Sequence, residues 1–190
     1  MDNLAYADPP VTELIDGKVY LMSPRPRASH NFIAANIYRI FADHLRGKTC
    51  RAIMDGMDLF LDEKNRYVPD AMIVCDRKKI QRNGVHGAPD LVVEVLSPST
   101  GSHDRGAKMR HYEAAGVKEY WIVSPLGKSV EVYFNRGGRF EIDDMYAVHE
   151  GWDLERMTEE ERAAVKTEIP VSLYDDFRVR VAEIFEDVDV

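Results

Sequence analysis

The sequence predicts an α/β fold with a central mixed β-sheet flanked by helices. Three observations lead there. Phe32, Ile33, Ile37, Ile40, Phe41, His44 and Leu45 recur at helical spacing. Residues 90–96 and 119–124 are apolar runs of strand length, with a helical stretch, residues 103–115, between them. That order makes a βαβ unit, whose strands are expected to be parallel with a right-handed crossover. Two hairpins, near residues 11–22 and 130–142, supply antiparallel strands.

The elements follow in chain order. Residues 11–15 and 19–22 flank Asp16-Gly17, a dipeptide suited to a tight turn. Pro24 and Pro26 then break the pattern. Ser29 is the expected N-cap of the first helix and Gly47 its stop. Residues 50–62 predict one or two strands. Residues 67–75 and 90–96 predict buried strands, separated by a polar, basic loop with Gly84 and Gly87. Residues 97–102 predict a loop, and helix 103–115 ends at Gly116. Gly137-Gly138 turns the second hairpin. Thr158-Glu159-Glu160-Glu161 is a capping box, so short helices are expected in the acidic C-terminal part. The 190 residues read as one domain, a core over residues 10–135 and an acidic extension over residues 140–190.

Composition narrows the class. Apolar residues make up 45% and charged residues 31%, ordinary values for a globular protein. No apolar run approaches the ~20 residues of a membrane span. The acidic start, Met1-Asp2-Asn3-Leu4, lacks the basic region of a secretory signal. Cys50 and Cys75 form no disulfide framework and no CxxC pair, which fits a reducing cytoplasm. The net charge of −8 is uneven: residues 140–190 carry 5 basic and 16 acidic residues, residues 1–139 carry 20 and 17. Arg77, Lys78, Lys79 and Arg82 cluster between the two central strands. They are candidate phosphate contacts or a solvated face.

The carboxylates carry the chemistry. Asp70 and Glu94 each lie on or beside an apolar run, where an uncompensated charge is costly. On adjacent strands they would repel by about 3 kcal/mol at ~5 Å and an effective dielectric of ~20. A divalent cation between them turns that repulsion into a binding site. Asp90 shares a strand face with Glu94 but stands ~13 Å away along the strand. Asp90 is therefore expected to be a turn, cap or outer group. Position 96, on the face of Glu94, is leucine. Lys108, on the following helix, is the candidate cation, and Asp104 four residues earlier could orient it. Glu13, His30 and Tyr112 are additional candidates, each with a structural alternative. There is no GxxxxGK[ST] loop, GxSxG elbow or HExxH motif, and the cysteines and histidines are too scattered for a zinc cluster.

These residues resemble the Uma-two family of restriction-endonuclease-like domains, within the PD-(D/E)XK nuclease superfamily. The likeness spans about residues 10–135. It includes Glu13-Leu14-Ile15-Asp16-Gly17, His30, Pro69-Asp70, and Pro89-Asp90 through Glu94-Val95-Leu96-Ser97-Pro98-Ser99-Thr100. Asp104, Lys108, Tyr112 and the run Gly116–Val123 complete it. The resemblance implies a restriction-endonuclease-like core, Asp70 and Glu94 as metal ligands, and Lys108 as a catalytic lysine migrated from position 96. It implies Mg²⁺ or Mn²⁺ as cofactor and DNA as partner in phosphodiester hydrolysis, with no membrane role. Two alternatives stand beside it: a nuclease-fold binding or regulatory protein that does not cleave, and an oligomeric scaffold, with a homodimer among its forms.

Overall fold

A computed structural model of the chain describes residues 11–22, 27–97, 104–149 and 151–188. The central sheet has six strands: β3 (Arg51–Met54), β6 (Ala71–Val74), β9 (Leu91–Val95), β10 (Glu119–Ser124), β11 (Ser129–Arg136) and β12 (Arg139–Ala147). Their spatial order is β12-β11-β10-β9-β6-β3. β9 and β10 pair in parallel, as the βαβ reading predicts, and β6 pairs antiparallel with β9. Three of these strands, β6, β9 and β10, are buried on both sides because both faces are covered. Leu91, Val93 and Val95 of β9 face one core cluster, and Val92 faces the other.

The first cluster is closed by helix α1 (Ala28–His44) through Ile33, Ala34, Ile37 and Phe41. Its start differs from expectation. The N-cap is Arg27 with no side-chain cap bond, and Ser29 lies inside the first turn. The C-terminal segment closes the same cluster. β13 (Glu168–Pro170), β14 (Arg178–Arg180) and a short helix (Val181–Ile184) bury Ile169, Val171, Phe177, Val179, Val181 and Ile184 there. This part of the acidic segment therefore belongs to the core and is not an appendage. The expected capping box is present: Glu161 N–H donates to Thr158 Oγ1 (3.1 Å), and Thr158 N–H donates to Glu161 Oε2 (2.8 Å).

The second cluster lies between the central sheet and a smaller sheet of order β2-β1-β5-β4-β8-β7. That sheet comprises β1 (Thr12–Ile15), β2 (Lys18–Leu21), β4 (Leu59–Phe60), β5 (Arg66–Tyr67), β7 (Ile80–Gln81) and β8 (Gly84–His86). The predicted strand over residues 67–75 is split by Pro69 into β5 and β6. Helix α2 (Met109–Ala115) joins this layer and follows a π-helical turn, Asp104–Lys108. It stops at Gly116, whose φ of 89° is the left-handed cap favoured by glycine. Ser99 and Ser102, with most of the predicted loop, lie outside the described residues.

One expectation is corrected. Cys50 and Cys75 form a disulfide. The register of β3 on β6 pairs Arg51 with Val74, which sets the two cysteines opposite one another at the strand ends. Their separation of 25 residues carries no local signal of this pairing. The reducing-cytoplasm reading rested on unpaired thiols and loses that support. No described helix is long and apolar enough to cross a membrane.

Candidate active site

Strand register builds the site. β6 and β9 pair Ala71 with Val93 and Met72 with Val92, so Asp70 lies across from Glu94 where the register continues. Pro69 breaks the preceding strand and Asp70 opens β6. Asp70 Oδ2 accepts the N–H of Val95 (2.6 Å), and Asp70 Oδ1 lies 3.4 Å from His30 Nε2 of α1. Burial works against the charged imidazole, but the hydrogen bond and charge of Asp70 outweigh it and raise the His30 pKa. Asp55, which the sequence reading missed, stands at the same mouth: its N–H donates to the Asp70 carbonyl (3.0 Å). Burial, aided by Asp70, pushes the Asp55 carboxyl up. A strand ending at Asp55-Gly56 was the available signal.

Glu94 points into the second layer and is 3% exposed. Its Oε1 accepts the Tyr112 hydroxyl (2.7 Å), and its Oε2 accepts Lys108 Nζ (3.2 Å). Lys108, 2% exposed, also lies 3.0 Å from Glu13 Oε1 and 3.4 Å from Asp104 Oδ1. The π-helical turn places Asp104 and Lys108 together, both buried beneath β9. Three carboxylates from three elements thus surround one ammonium. Burial raises Glu94 well above the usual carboxylate range, with Asp104, Asp70 and Glu13 reinforcing it against the opposing Lys108. Burial opposes the charge on Lys108, but Glu94, Glu13 and Asp104 override it and hold the ammonium protonated.

The cluster is rich in acids: Glu94, Glu13 and Asp104 share a single lysine, and the charge of Asp70 is also felt at Glu94. That imbalance is what a divalent cation relieves. Two carboxylates suit Mg²⁺, which keeps several waters and takes one or two protein carboxylates. Asp70 and Glu94 are the two acids that the β6–β9 register brings opposite one another. Among the described residues, no group of three His, Cys, Asp or Glu side chains forms a ready metal cluster.

The other candidates separate. Asp90 caps the opposite end of β9: its carboxylate accepts Cys75 N–H (2.7 Å) and Lys118 Nζ (2.8 Å). The basic segment lies beyond the far end of β6. Arg77 donates to the carbonyls of Thr49 (3.0 Å) and Lys48 (3.3 Å), and Lys79 to the carbonyl of Ala88 (2.7 Å). Arg77, Lys78, Lys79 and Arg82 are thus not gathered at the carboxylates, because four residues of β6 intervene. The Tyr67 ring, which the sequence reading assigned to the core, stands 5.8 Å from Lys108 Nζ. Tyr67 OH bonds His111 Nδ1, and His111 Nε2 lies 3.3 Å from Asp16 Oδ1.

Comparisons with known proteins bear on the family and the fold. Residues 3–166 match the family model described as "Uma2: Putative restriction endonuclease". An uncharacterized protein of Synechocystis sp. is 31% identical over 123 residues, 64% of this chain and 64% of its own. A second from the same organism is 26% identical over 132 residues, 67% of this chain and 74% of its own. The chain spans less than two thirds of the first relative's length. The crystal structure of "a putative nuclease belonging to DUF820" from Anabaena variabilis has a TM-score of 0.69 to this fold. That match covers 93% of this chain and 90% of the other at 19% identity, a likeness of fold.

Proposed function

The chain belongs to the Uma2 family of restriction-endonuclease-like proteins, and on that premise we propose that it is a Mg²⁺- or Mn²⁺-dependent endonuclease hydrolysing DNA phosphodiester bonds. One observation carries the reading: Asp70 and Glu94 lie opposite one another where the β6–β9 register continues, and Glu94 shares a buried lysine with two further carboxylates. Asp70 and Glu94 would hold the ion, which supplies Lewis-acid activation of water and offsets charge on the phosphate. The Val95 N–H and His30 fix the two oxygens of Asp70. Tyr112 fixes Glu94 Oε1. Lys108 keeps positive charge at the carboxylates, where it opposes the protonation that burial favours and offsets charge developing on a bound phosphate. Lys108 acts as a cation and not as a general base, since its neighbours favour the charged form.

One observation favours the non-cleaving alternative. The Lys108 ammonium is enclosed by protein carboxylates and is not presented to solvent. The deciding experiment pairs Mn²⁺ calorimetry with cleavage of plasmid DNA. Wild type should bind Mn²⁺ and nick DNA. Asp70→Asn should lose both, and Lys108→Met should lose cleavage while keeping Mn²⁺ binding. Equal Mn²⁺ binding by wild type and Asp70→Asn would remove the metal site from this reading. Mn²⁺ binding without cleavage would leave the non-cleaving alternative.

A further inference from the structure

We infer that Glu13 is a positioning residue: it holds the Lys108 ammonium so that Glu94 is released to a divalent cation. The inference rests on the metal site proposed above and assigns Glu13 a task other than metal ligation.

The conflict that Glu13 resolves is visible in the contacts of Glu94. Its Oε1 accepts the Tyr112 hydroxyl and its Oε2 accepts Lys108. A cation drawn to Glu94 therefore competes with the lysine for Oε2, and two cations on one carboxylate repel. Were Glu94 the sole partner of Lys108, loading the site would strand a buried ammonium, a costly outcome. Lys108 has other partners. Its shortest carboxylate contact is Glu13 Oε1 at 3.0 Å, against 3.2 Å to Glu94 and 3.4 Å to Asp104. Asp104 sits on the same helical turn as Lys108 and travels with it. Among the described carboxylates, Glu13 is the one that reaches the ammonium from the small sheet.

The hairpin carrying Glu13 is anchored independently of the lysine. Val68 N–H lies within hydrogen-bond distance of Glu13 Oε1 (3.4 Å). At the turn, Asp16 N–H donates to Asn65 Oδ1 (3.0 Å) and Gly17 N–H to the Lys64 carbonyl (3.0 Å). Asp16 Oδ1 faces His111 Nε2, three residues beyond Lys108, at 3.3 Å. The sheet that bears Glu13 and the helix that follows Lys108 are thus tied together, and the Glu13–Lys108 contact is set by that frame. Glu13 Oε1 already serves the ammonium, which argues against a ligand role for that oxygen.

A positional effect and a general charge effect are separable. Mn²⁺ affinity is measured by calorimetry on full-length wild type, Glu13→Gln, Lys108→Met and the double variant, each checked for folding by thermal melting. Through Lys108, Glu13→Gln should weaken Mn²⁺ binding by about 10-fold or more, the scale seen when an outer partner of a metal site is removed. In the Lys108→Met background the same change should have less than about a twofold effect, because no ammonium remains to be held. Glu13→Asp keeps the charge but withdraws the carboxylate, and it should weaken binding as Glu13→Gln does. Equal fold-losses in both lysine backgrounds, or wild-type affinity in Glu13→Asp, would overturn the inference. Absence of Mn²⁺ binding in wild type would instead overturn the site itself.

Discussion

β9 presents two acids on one face, four residues apart, and the fold gives them different surroundings. Asp90, at its entrance, has one donor for each carboxylate oxygen: Cys75 N–H and the Lys118 ammonium. Its own backbone oxygen accepts Lys118 N–H and Glu119 N–H, which ties β9 to β10. Glu94, at the exit, also has a donor for each oxygen, but three more carboxylates stand around it. Burial and hydrogen bonding are common to both. The difference is in the company: Asp90 has one ammonium to itself, whereas Glu94 shares one with Glu13 and Asp104 and feels Asp70 as well. A buried acid with a matched partner holds a fold together, whereas surplus like charge marks a place where a cation is wanted.

The largest test of this contrast uses near-isosteric amides. Glu94→Gln should lower Mn²⁺ affinity by about two orders of magnitude and abolish cleavage. Without metal it should leave the melting temperature unchanged or raise it by about 2–4 °C per kcal/mol gained, because a crowded charge is removed. Asp90→Asn should do the reverse: Mn²⁺ affinity within twofold of wild type, and stability lower by about 1–3 kcal/mol through weakened charge-assisted bonds. Calorimetry and metal-free melts check both. Loss of Mn²⁺ binding in Asp90→Asn alone would break the contrast.

A second test sharpens the structural end. Glu119, at the start of β10, is fully buried and accepts Trp121 Nε1 (2.7 Å), Ser172 N–H (2.9 Å) and Ser172 Oγ (2.6 Å). Burial raises its pKa above the ordinary 4.5, although these hydrogen bonds pull the other way. The folded state then binds more protons than the unfolded state between the two values. Stability from this group therefore falls as pH rises through that window. In melts from pH 4.5 upward, Glu119→Gln should gain relative to wild type as pH increases. A difference independent of pH would mean that the carboxyl titrates alike in both states.

The smallest effect is expected at the basic segment. Arg77 and Lys79 donate to backbone carbonyls at the end of β6 opposite Asp70. Replacing Arg77, Lys78, Lys79 and Arg82 with alanine should change the salt slope of DNA binding by less than about one unit, the equivalent of one phosphate contact. A drop of three or more would move the DNA path to that end of the sheet.

Much of the fold is legible in local patterns. Helical spacing located α1, the βαβ order gave the parallel β9–β10 pair, and Asp-Gly and Gly-Gly located both hairpins. The Asp70–Glu94 pair was also legible, since each acid interrupts an apolar run. Among the candidates, four-residue spacing made the Asp104–Lys108 pairing legible, whereas the partners of Glu13, His30 and Tyr112 were not. Lys108 was expected against both Asp70 and Glu94; its carboxylate contacts are Glu94, Glu13 and Asp104. Asp55 carried only the signal of a strand ending at Asp55-Gly56, and Tyr67 gave none, because nothing in its spacing points to the site.

By itself the sequence determined which segments become strands and helices, and which acids cannot rest in an apolar strand unaided. Periodicity and charge in a buried run are local properties, readable within about ten residues. Only the tertiary structure decided the company those acids keep. The small sheet brings Glu13 to Lys108, α1 brings His30 to Asp70, and the β3–β6 register joins Cys50 to Cys75. It also folds Ile169, Val179 and Ile184 of the acidic segment into the main core. These contacts join residues far apart in sequence. Their existence depends on how the two layers pack on the central sheet, and no local pattern encodes that choice.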